Sequence, residues 1–425
     1  MSDVKIVGLD IGTNVLRVAI GIIDSETGEI QIVGTASNKS KGLRNGVIVN
    51  LEEAKTAICD VIEMAEQNAG FTIESVFTGI GGTYIESFNS RGVAAVKTMG
   101  KQNREISQND VADAIGSAVA VKVPEDREQL HVITQNYIVD GIDRITDPIH
   151  RIGTRLEVEV HIVTVSKTII QNLRLCICDK ANYGLNGVFL KTLAETQAVC
   201  YDDELELGSI LIDLGAATTD IIVLIHGAPI STASVPIGGN LVTNDISQVL
   251  KIPTPAAEEI KIEKGCCWID GISPKTDEDV IIPGIGGRAP EVIRKSQLCE
   301  IIQARMYQLF KNVKVAILKN TNDSLKQLSG NVILTGGGAM MEGIVELAQN
   351  VFKTSSVRLG IPENLGGVEE DYRRPDFATA IGLIVANKQY ATSKDTRKRG
   401  RAGGGKRHDN EGKENILKKI FKSLF

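Results

Sequence analysis

The chain of 425 residues has few aromatic side chains, no long apolar run and no metal-type cysteine pattern, and each shortage excludes a class of protein. Aromatics make up only 4% of the sequence, too few for a protein that stacks nucleic-acid bases. No run of about 18 apolar residues occurs, so no transmembrane helix is predicted. The seven cysteines lack zinc-type spacing, which predicts reduced thiols in a cytoplasm and no metal cluster.

Charge is distributed unevenly along the chain. The net charge is −6, but residues 391–425 hold eleven basic and four acidic residues, so this tail is +7 and residues 1–390 are −13. A basic tail on an acidic body indicates an anionic partner for the tail alone. The length predicts two or more domains.

One motif occurs twice: an apolar run, an aspartate, a glycine turn and a second apolar run. The two copies are residues 7–20 (VGLDIGTNVLRVAI) and 210–223 (ILIDLGAATTDIIV). Asp10 and Gly12 in the first correspond to Asp213 and Gly215 in the second. The repeat predicts two similar domains whose turn amides hold phosphates while the two carboxylates share a magnesium ion. The alternative is a pair of ordinary hairpins with acidic turns.

Three further motifs lie in the second half. Gly238–Asn240 opens a predicted helix whose N-terminus suits an anion, although a plain strand–helix turn has the same pattern. Glu258 and Lys261 share a helical face, which alone most often means a surface ion pair. The glycines of residues 336–338 follow a predicted strand and permit close approach of the backbone to a flat ring or ribose.

Residues 84–164 differ in character and are predicted to form an inserted α+β module. Four segments there resemble the FtsA family of bacterial cell-division proteins, which belongs to the actin-like ATPase superfamily: residues 86–92 (ESFNSRG), 124–141 (PEDREQLHVITQNYIVDG), 147–153 (DPIHRIG) and 156–164 (LEVEVHIVT). The resemblance extends from Val4 to about Ala386 and recurs at the C-terminal helix. It implies an α/β, actin-like two-domain ATPase fold of duplicated mixed-sheet domains with an inserted α+β subdomain and a C-terminal amphipathic helix.

The expected domain boundaries follow from this resemblance. Domain I comprises residues 1–83, 165–195 and 366–390, interrupted by the insertion at 84–164. Domain II comprises residues 196–243 and 310–365, with a subdomain at 244–309 as the candidate FtsZ-binding region. A flexible basic linker at 391–411 precedes a membrane-targeting helix at 412–425.

The last residues form an amphipathic pattern. At roughly 100° per residue, one half of the helical wheel is apolar and the other is rich in lysine. The apolar positions are Ile416, Leu417, Ile420, Phe421, Leu424 and Phe425, and the lysines are Lys418, Lys419 and Lys422. So short a helix needs a surface to fold against, and the pattern favours an anionic bilayer over docking into the protein's own groove. The basic linker alone is not expected to bind nucleic acid.

The resemblance also implies ligands and roles. ATP and Mg²⁺ would lie between the domains, with the metal at Asp10 and Asp213. The expected nucleotide-binding residues are Asp10, Gly12, Thr13, Asn14, Asp213, Gly215, Ala216, Ala217, Thr218, Gly238, Gly239, Asn240, Glu258, Lys261, Gly336, Gly337 and Gly338. Glu195, on the helix that connects the domains, would order a water, unless it is a solvated surface glutamate.

The expected partners are the acidic tail of FtsZ, other copies of this chain, later division proteins and anionic lipids, at the cytoplasmic face of the bacterial inner membrane at the division site. Arg288, Arg294 and Arg305 are candidate contacts for the tail, unless they form a solvated charged face. A soluble sugar-kinase or chaperone-like ATPase of the same superfamily is the alternative.

Two features depart from the family pattern. Alanines stand at 216 and 217, where family members usually have glycines, and Val15 replaces a usual lysine. If the two turn positions require positive φ, each alanine costs about 1 kcal/mol. We therefore expect ATP binding with slow or absent hydrolysis.

Overall fold

The computed structural model describes residues 4–24, 26–96, 104–284, 289–321, 331–363 and 365–388. The predicted linker, the C-terminal helix and Arg288 lie outside these ranges. None of the helices within them is long and apolar enough to cross a membrane.

Nineteen strands and eleven α-helices are defined in the described ranges. The strands are β1 Val4–Ile11, β2 Val15–Ile23, β3 Ile30–Lys39, β4 Leu43–Arg44, β5 Val47–Ile48, β6 Ser75–Ile80, β7 Ile85–Ala95, β8 Arg127–Val139, β9 Ile142–Ile145, β10 Arg155–Ser166, β11 Gly184–Leu190, β12 Ser209–Leu214, β13 Thr219–Ile225, β14 Ala228–Val235, β15 Asp279–Ile282, β16 Glu291–Arg294, β17 Val332–Thr335, β18 Val357–Leu359 and β19 Gly366–Gly367. The helices are α1 Leu51–Ala69, α2 Gln108–Val119, α3 Lys167–Arg174, α4 Lys191–Val199, α5 Asp202–Leu207, α6 Gly239–Leu250, α7 Thr254–Lys264, α8 Lys295–Thr321, α9 Ile344–Phe352, α10 Glu369–Tyr372 and α11 Ala378–Ala386.

Two mixed sheets repeat the same local plan. The first has strand order β11-β6-β1-β2-β3-β19 and the second β14-β13-β12-β17-β18. In the first, β1 pairs antiparallel with β2 and parallel with β6. In the second, β12 pairs antiparallel with β13 and parallel with β17. The expected duplication of mixed-sheet domains is confirmed, and the two predicted hairpins are β1–β2 and β12–β13.

Helices cover both faces of the first sheet. On one face, α1 buries Ile58, Val61 and Ile62 against it, and its bounds are fixed by an Asn50 N-cap and a left-handed Gly70. On the other face, α11 packs against β1 and β2 and also against α4. The ends of β1, β6 and α4 are thereby held close together.

The insertion is a separate four-stranded sheet, β7-β10-β8-β9, with α2 packed on it. Its core includes Ile106, Ile115 and Leu156. Its first and last strands are neighbours, with Ile85 paired to Val165. The predicted α+β insertion is confirmed.

The outer part of the second domain consists of α6, α7, the β15–β16 hairpin and α8. Leu298, Ile302 and Met306 on α8 join the same apolar core as Val242 and Ile246 on α6. This core continues into the second sheet through Ile212 on β12, so the β12–β13 hairpin packs against the outer part of the domain.

Candidate functional site

A cavity of about 540 Å³ lies between the two domains, within the size range of small-molecule sites. It is lined by both hairpin turns, by α7 and by the glycine turn after β17. Fifteen predicted nucleotide-binding residues line it: Asp10, Gly12, Thr13, Asn14, Asp213, Gly215, Ala216, Ala217, Thr218, Gly239, Glu258, Lys261, Gly336, Gly337 and Gly338. Gly238, Asn240 and Glu195 are not among the described lining residues.

The glycine at the start of each hairpin turn is needed because the chain folds back on itself there. A Cβ on Gly12 would lie 2.4 Å from the carbonyl oxygen of Val15. A Cβ on Gly215 would lie 2.8 Å from the carbonyl oxygen of Thr218, to which the Gly215 amide donates at 3.0 Å. Residues 12–14 of the first turn and 215–218 of the second line the cavity.

The two alanines of the second turn fit it without strain. Neither Ala216 nor Ala217 has positive φ, so the expected penalty of about 1 kcal/mol each does not apply here. Their amides donate to no other residue in the part of the chain that the structure describes. They are available to an anion in the cavity.

The N-terminus of α6 is fastened to the second hairpin. The amides of Gly239 and Asn240 donate to the carbonyl oxygens of Gly215 and Ala216 at 3.0 and 2.8 Å. Gly238 packs behind them, where a Cβ would lie 2.6 Å from the same two oxygens. The prediction that this helix N-terminus offers its amides to an anion is therefore wrong for Gly239 and Asn240, because the protein itself uses those donors.

A lysine that the sequence analysis missed, Lys191, lines the cavity. Lys191 Nζ is 2.5 Å from Asp10 Oδ1, and the lysine side chain is 15% exposed. Burial alone would lower the pKa of Lys191, but the charges of Asp10 and Asp213 outweigh it and raise that pKa. One sequence feature could have indicated this role: Lys191 begins a helix, where the helix dipole disfavours a cation.

The second predicted metal ligand, Asp213, is also buried. Burial raises the pKa of Asp213 to about 7, Lys191 opposes this rise, and the neighbouring charges of Asp220 and Asp10 add to it. Within the described ranges, no group of three or more acidic, histidine or cysteine side chains is placed to hold a metal ion. Asp10 and Asp213 thus fit Mg²⁺ only as a partial ligand set, which phosphate oxygens and waters would complete.

Glu195 lies inside the protein. It is 1% exposed, and its Oε1 accepts a hydrogen bond from the Thr379 hydroxyl at 2.6 Å. Burial, reinforced by the charge of Asp213, raises the pKa of Glu195 well above its ordinary value. The alternative of a solvated surface glutamate is wrong, since α11 covers this side chain.

Glu258 and Lys261 form an ion pair of 2.7 Å at the cavity wall, and the Lys261 side chain is 11% exposed. Both also hydrogen-bond to the Thr243 hydroxyl. Gly336, which lines the same cavity, has a φ of +81°, and a Cβ there would lie 2.0 Å from Asp213 Oδ1. The pair is a built part of the cavity wall rather than a surface ion pair.

Two of the predicted partner-binding arginines lie in the outer part of domain II. Arg294 pairs with Asp279 at 2.9 Å, and both side chains are exposed. Arg305 donates two hydrogen bonds to Asp245, at 2.6 and 2.8 Å. Neither lines the cavity. Each already has an acidic partner, which an incoming acidic peptide would have to replace.

Comparisons with known proteins agree with this architecture. The sequence model of the family described as "Cell division protein FtsA" matches residues 210–382, and one described as "SHS2 domain inserted in FTSA" matches residues 82–164. The chain is 40% identical to cell division protein FtsA of Borreliella burgdorferi over 91% of both chains. It is 36% identical to that of Pseudomonas aeruginosa over 90% of this chain and 89% of the relative.

Solved structures share the fold at low identity. The structure titled "PilM-PilN type IV pilus biogenesis complex" matches with a TM-score of 0.63 and 14% identity, over 91% of this chain and 98% of that one. MreB 5 of Spiroplasma citri bound to AMPPNP matches with a TM-score of 0.53 and 13% identity, over 94% and 100%. The "MamK double helical filament" matches with a TM-score of 0.50 and 12% identity, over 89% and 98%.

Proposed function

Because this chain belongs to the FtsA family of cell division proteins, we propose that it binds ATP, polymerises on the inner membrane and tethers FtsZ there. In this proposal it acts at the division site and recruits later division proteins. The observation that carries the nucleotide part is the cavity lined by the turns of both hairpins. The MreB neighbour, bound to AMPPNP, supports the same ligand class.

In this proposal, different groups of lining residues contact different parts of the nucleotide. The amides of Ala216 and Ala217 would face the phosphates, and Asp10 and Asp213 would lie beside Mg²⁺, which when bound would neutralise phosphate charge. The ribose and base lie between the Glu258–Lys261 pair and the open backbone of Gly336–Gly338.

Hydrolysis is slow or absent in this proposal. Glu195 is not among the described residues that line the cavity, and its Oε1 accepts a hydrogen bond from Thr379; its role in ordering a water stays a prediction. Val15 supplies no cation to the first turn. The test is a nucleotide titration followed by phosphate release on the purified protein. Saturable ATP binding supports the proposal. Hydrolysis of many ATP molecules per minute by each protein molecule would contradict slow hydrolysis.

Membrane attachment depends on the amphipathic C-terminal sequence. Deletion of residues 415–425 should abolish co-sedimentation with anionic liposomes. A Phe421→Asp variant of the full chain is the matched control for the apolar face, and it should lose binding while keeping the length and the basic linker. Undiminished pelleting of the deletion variant would refute membrane attachment through this segment.

Polymerisation is supported by the filament-forming neighbour MamK. One short amphipathic helix binds a membrane reversibly, whereas many helices on one filament bind together with higher avidity. Electron microscopy on lipid monolayers, with and without ATP and with the truncated chain, tests this. Filaments of the full chain with ATP support the proposal, and their absence under all of these conditions contradicts it.

A further inference from the structure

Besides its carboxylates, the cavity holds a cation that belongs to the protein. The Lys191 ammonium forms a 2.5 Å ion pair with Asp10 Oδ1, and Lys191 also lines the cavity with Asp213. Both aspartates are the residues that would flank a magnesium ion. The ammonium therefore lies next to the position that a metal would take.

The surrounding backbone leaves room for this side chain. A Cβ on Gly79 would lie 2.9 Å from Lys191 Cγ, and one on Gly81 would lie 3.4 Å from Lys191 Cδ. Gly79 and Gly81 lie on either side of Ile80, the last residue of β6, and all three line the cavity. The methylene groups of Lys191 thus pack against the backbone of Gly79 and Gly81, and the ammonium reaches the carboxylate of Asp10.

The position of the Lys191 ammonium is unfavourable unless nearby negative charges compensate it. A lysine in the first position of α4 lies at the positive end of the helix dipole, and a largely buried ammonium loses hydration. The carboxylate of Asp10, 2.5 Å from the ammonium, and that of Asp213 on the same cavity offset both effects. The lysine in turn reduces the negative charge that the two aspartates present to a polyphosphate.

A divalent metal bound beside two carboxylates also reduces the negative charge that they present to phosphates. We propose that Lys191 is a resident counter-cation, which allows this cleft to bind the phosphates of a nucleotide with little dependence on Mg²⁺. The inference rests on the proposed nucleotide binding and concerns the cation at that same site.

The test measures the affinity of the full-length protein for a fluorescent ATP analogue, in Mg²⁺ and in EDTA. For the wild type we expect a change of less than about threefold, because the ammonium remains in place. For Lys191→Met, which keeps the packing of the stem and removes the charge, we expect at least about tenfold weaker binding in EDTA, with recovery in Mg²⁺. Lys191→Arg, which keeps the charge, should behave more like the wild type.

Lys180→Ala is the matched control, because it removes a surface ammonium that pairs with Glu52 at 2.8 Å. It should follow the wild type in both solutions. Wild-type binding that weakens at least about tenfold in EDTA overturns the inference and leaves the proposed nucleotide site intact. That arm requires no variant, so it decides the question even where Lys191→Met fails to fold. Wild type that binds in neither solution overturns the proposed nucleotide binding and the inference with it.

Discussion

Asn14 and Asn240 hydrogen-bond to each other across the cleft, from Nδ2 of Asn14 to Oδ1 of Asn240 at 2.6 Å. The first belongs to the turn between β1 and β2, the second to the first turn of α6. The pair joins the two domains directly beside the predicted phosphate position. Any opening of the cleft at this point must separate the two amides.

Asn240→Ala should therefore release nucleotide faster. Loss of one neutral hydrogen bond predicts an increase in dissociation rate of about five- to tenfold, because the domains separate more easily. Displacement of a fluorescent nucleotide in a stopped-flow instrument measures this rate. Asn186→Ala, which removes a 2.8 Å bond to Ser75 away from the cavity, is the control. Equal rates for Asn240→Ala and the wild type would show that the pair does not restrain the cleft.

Gly336→Ala should damage both stability and binding. The new Cβ would lie 2.0 Å from Asp213 Oδ1 on a residue with φ of +81°, which costs on the order of 2 kcal/mol in the free energy of unfolding. Urea unfolding and nucleotide titration measure the two effects.

Gly337→Ala separates strain from contact with the ligand. A Cβ at Gly337 meets no atom within 4 Å, so its stability should match that of the wild type. Its affinity should fall if the base lies on this turn, as proposed. Equal stability of Gly336→Ala and Gly337→Ala would contradict the assigned strain.

Stability should fall in mild acid because of His131. Burial lowers the pKa of this imidazole from 6.5 to about 4, and its Nε2 accepts a hydrogen bond from the Leu190 amide at 2.9 Å. Between these two values the unfolded chain binds more protons than the folded one. The stabilisation is complete above pH 6.5 and is lost as the pH falls towards 4, by about 3 kcal/mol. Urea unfolding across this range should show a shallower pH dependence for His131→Gln than for the wild type, and parallel profiles would refute the assignment.

The Arg305–Asp245 pair permits a direct test of the proposed peptide site. Asp245→Asn removes the charge that holds Arg305, so the guanidinium becomes available and binding of an acidic FtsZ-tail peptide should strengthen severalfold at low salt. Arg305→Ala should weaken it. Fluorescence anisotropy with a labelled peptide measures both. The idea fails if Asp245→Asn and Arg305→Ala have the same affinity as the wild type.

Local patterns and the family resemblance predicted the fold and placed fifteen of the seventeen expected nucleotide-binding residues at the cavity, because a strand that ends in aspartate and glycine is recognisable within fourteen residues. The missed features depend on distant parts of the chain. Lys191 meets Asp10 only after β11, β6 and β1 pair in the first sheet, and Glu195 is buried because α11 packs over it. The backbone of Ala216 and Ala217 could not be inferred either, since family glycines do not reveal whether φ is positive.

The pairing of Ile85 with Val165 brings the two ends of the inserted subdomain together. The inserted subdomain leaves and re-enters the first domain through two adjacent strands, about 5 Å apart. A short turn can bridge that gap, so the module can be excised or exchanged without rerouting the remaining chain. This junction is therefore a suitable site for exchanging the subdomain with that of a relative, or for replacing it with a reporter domain.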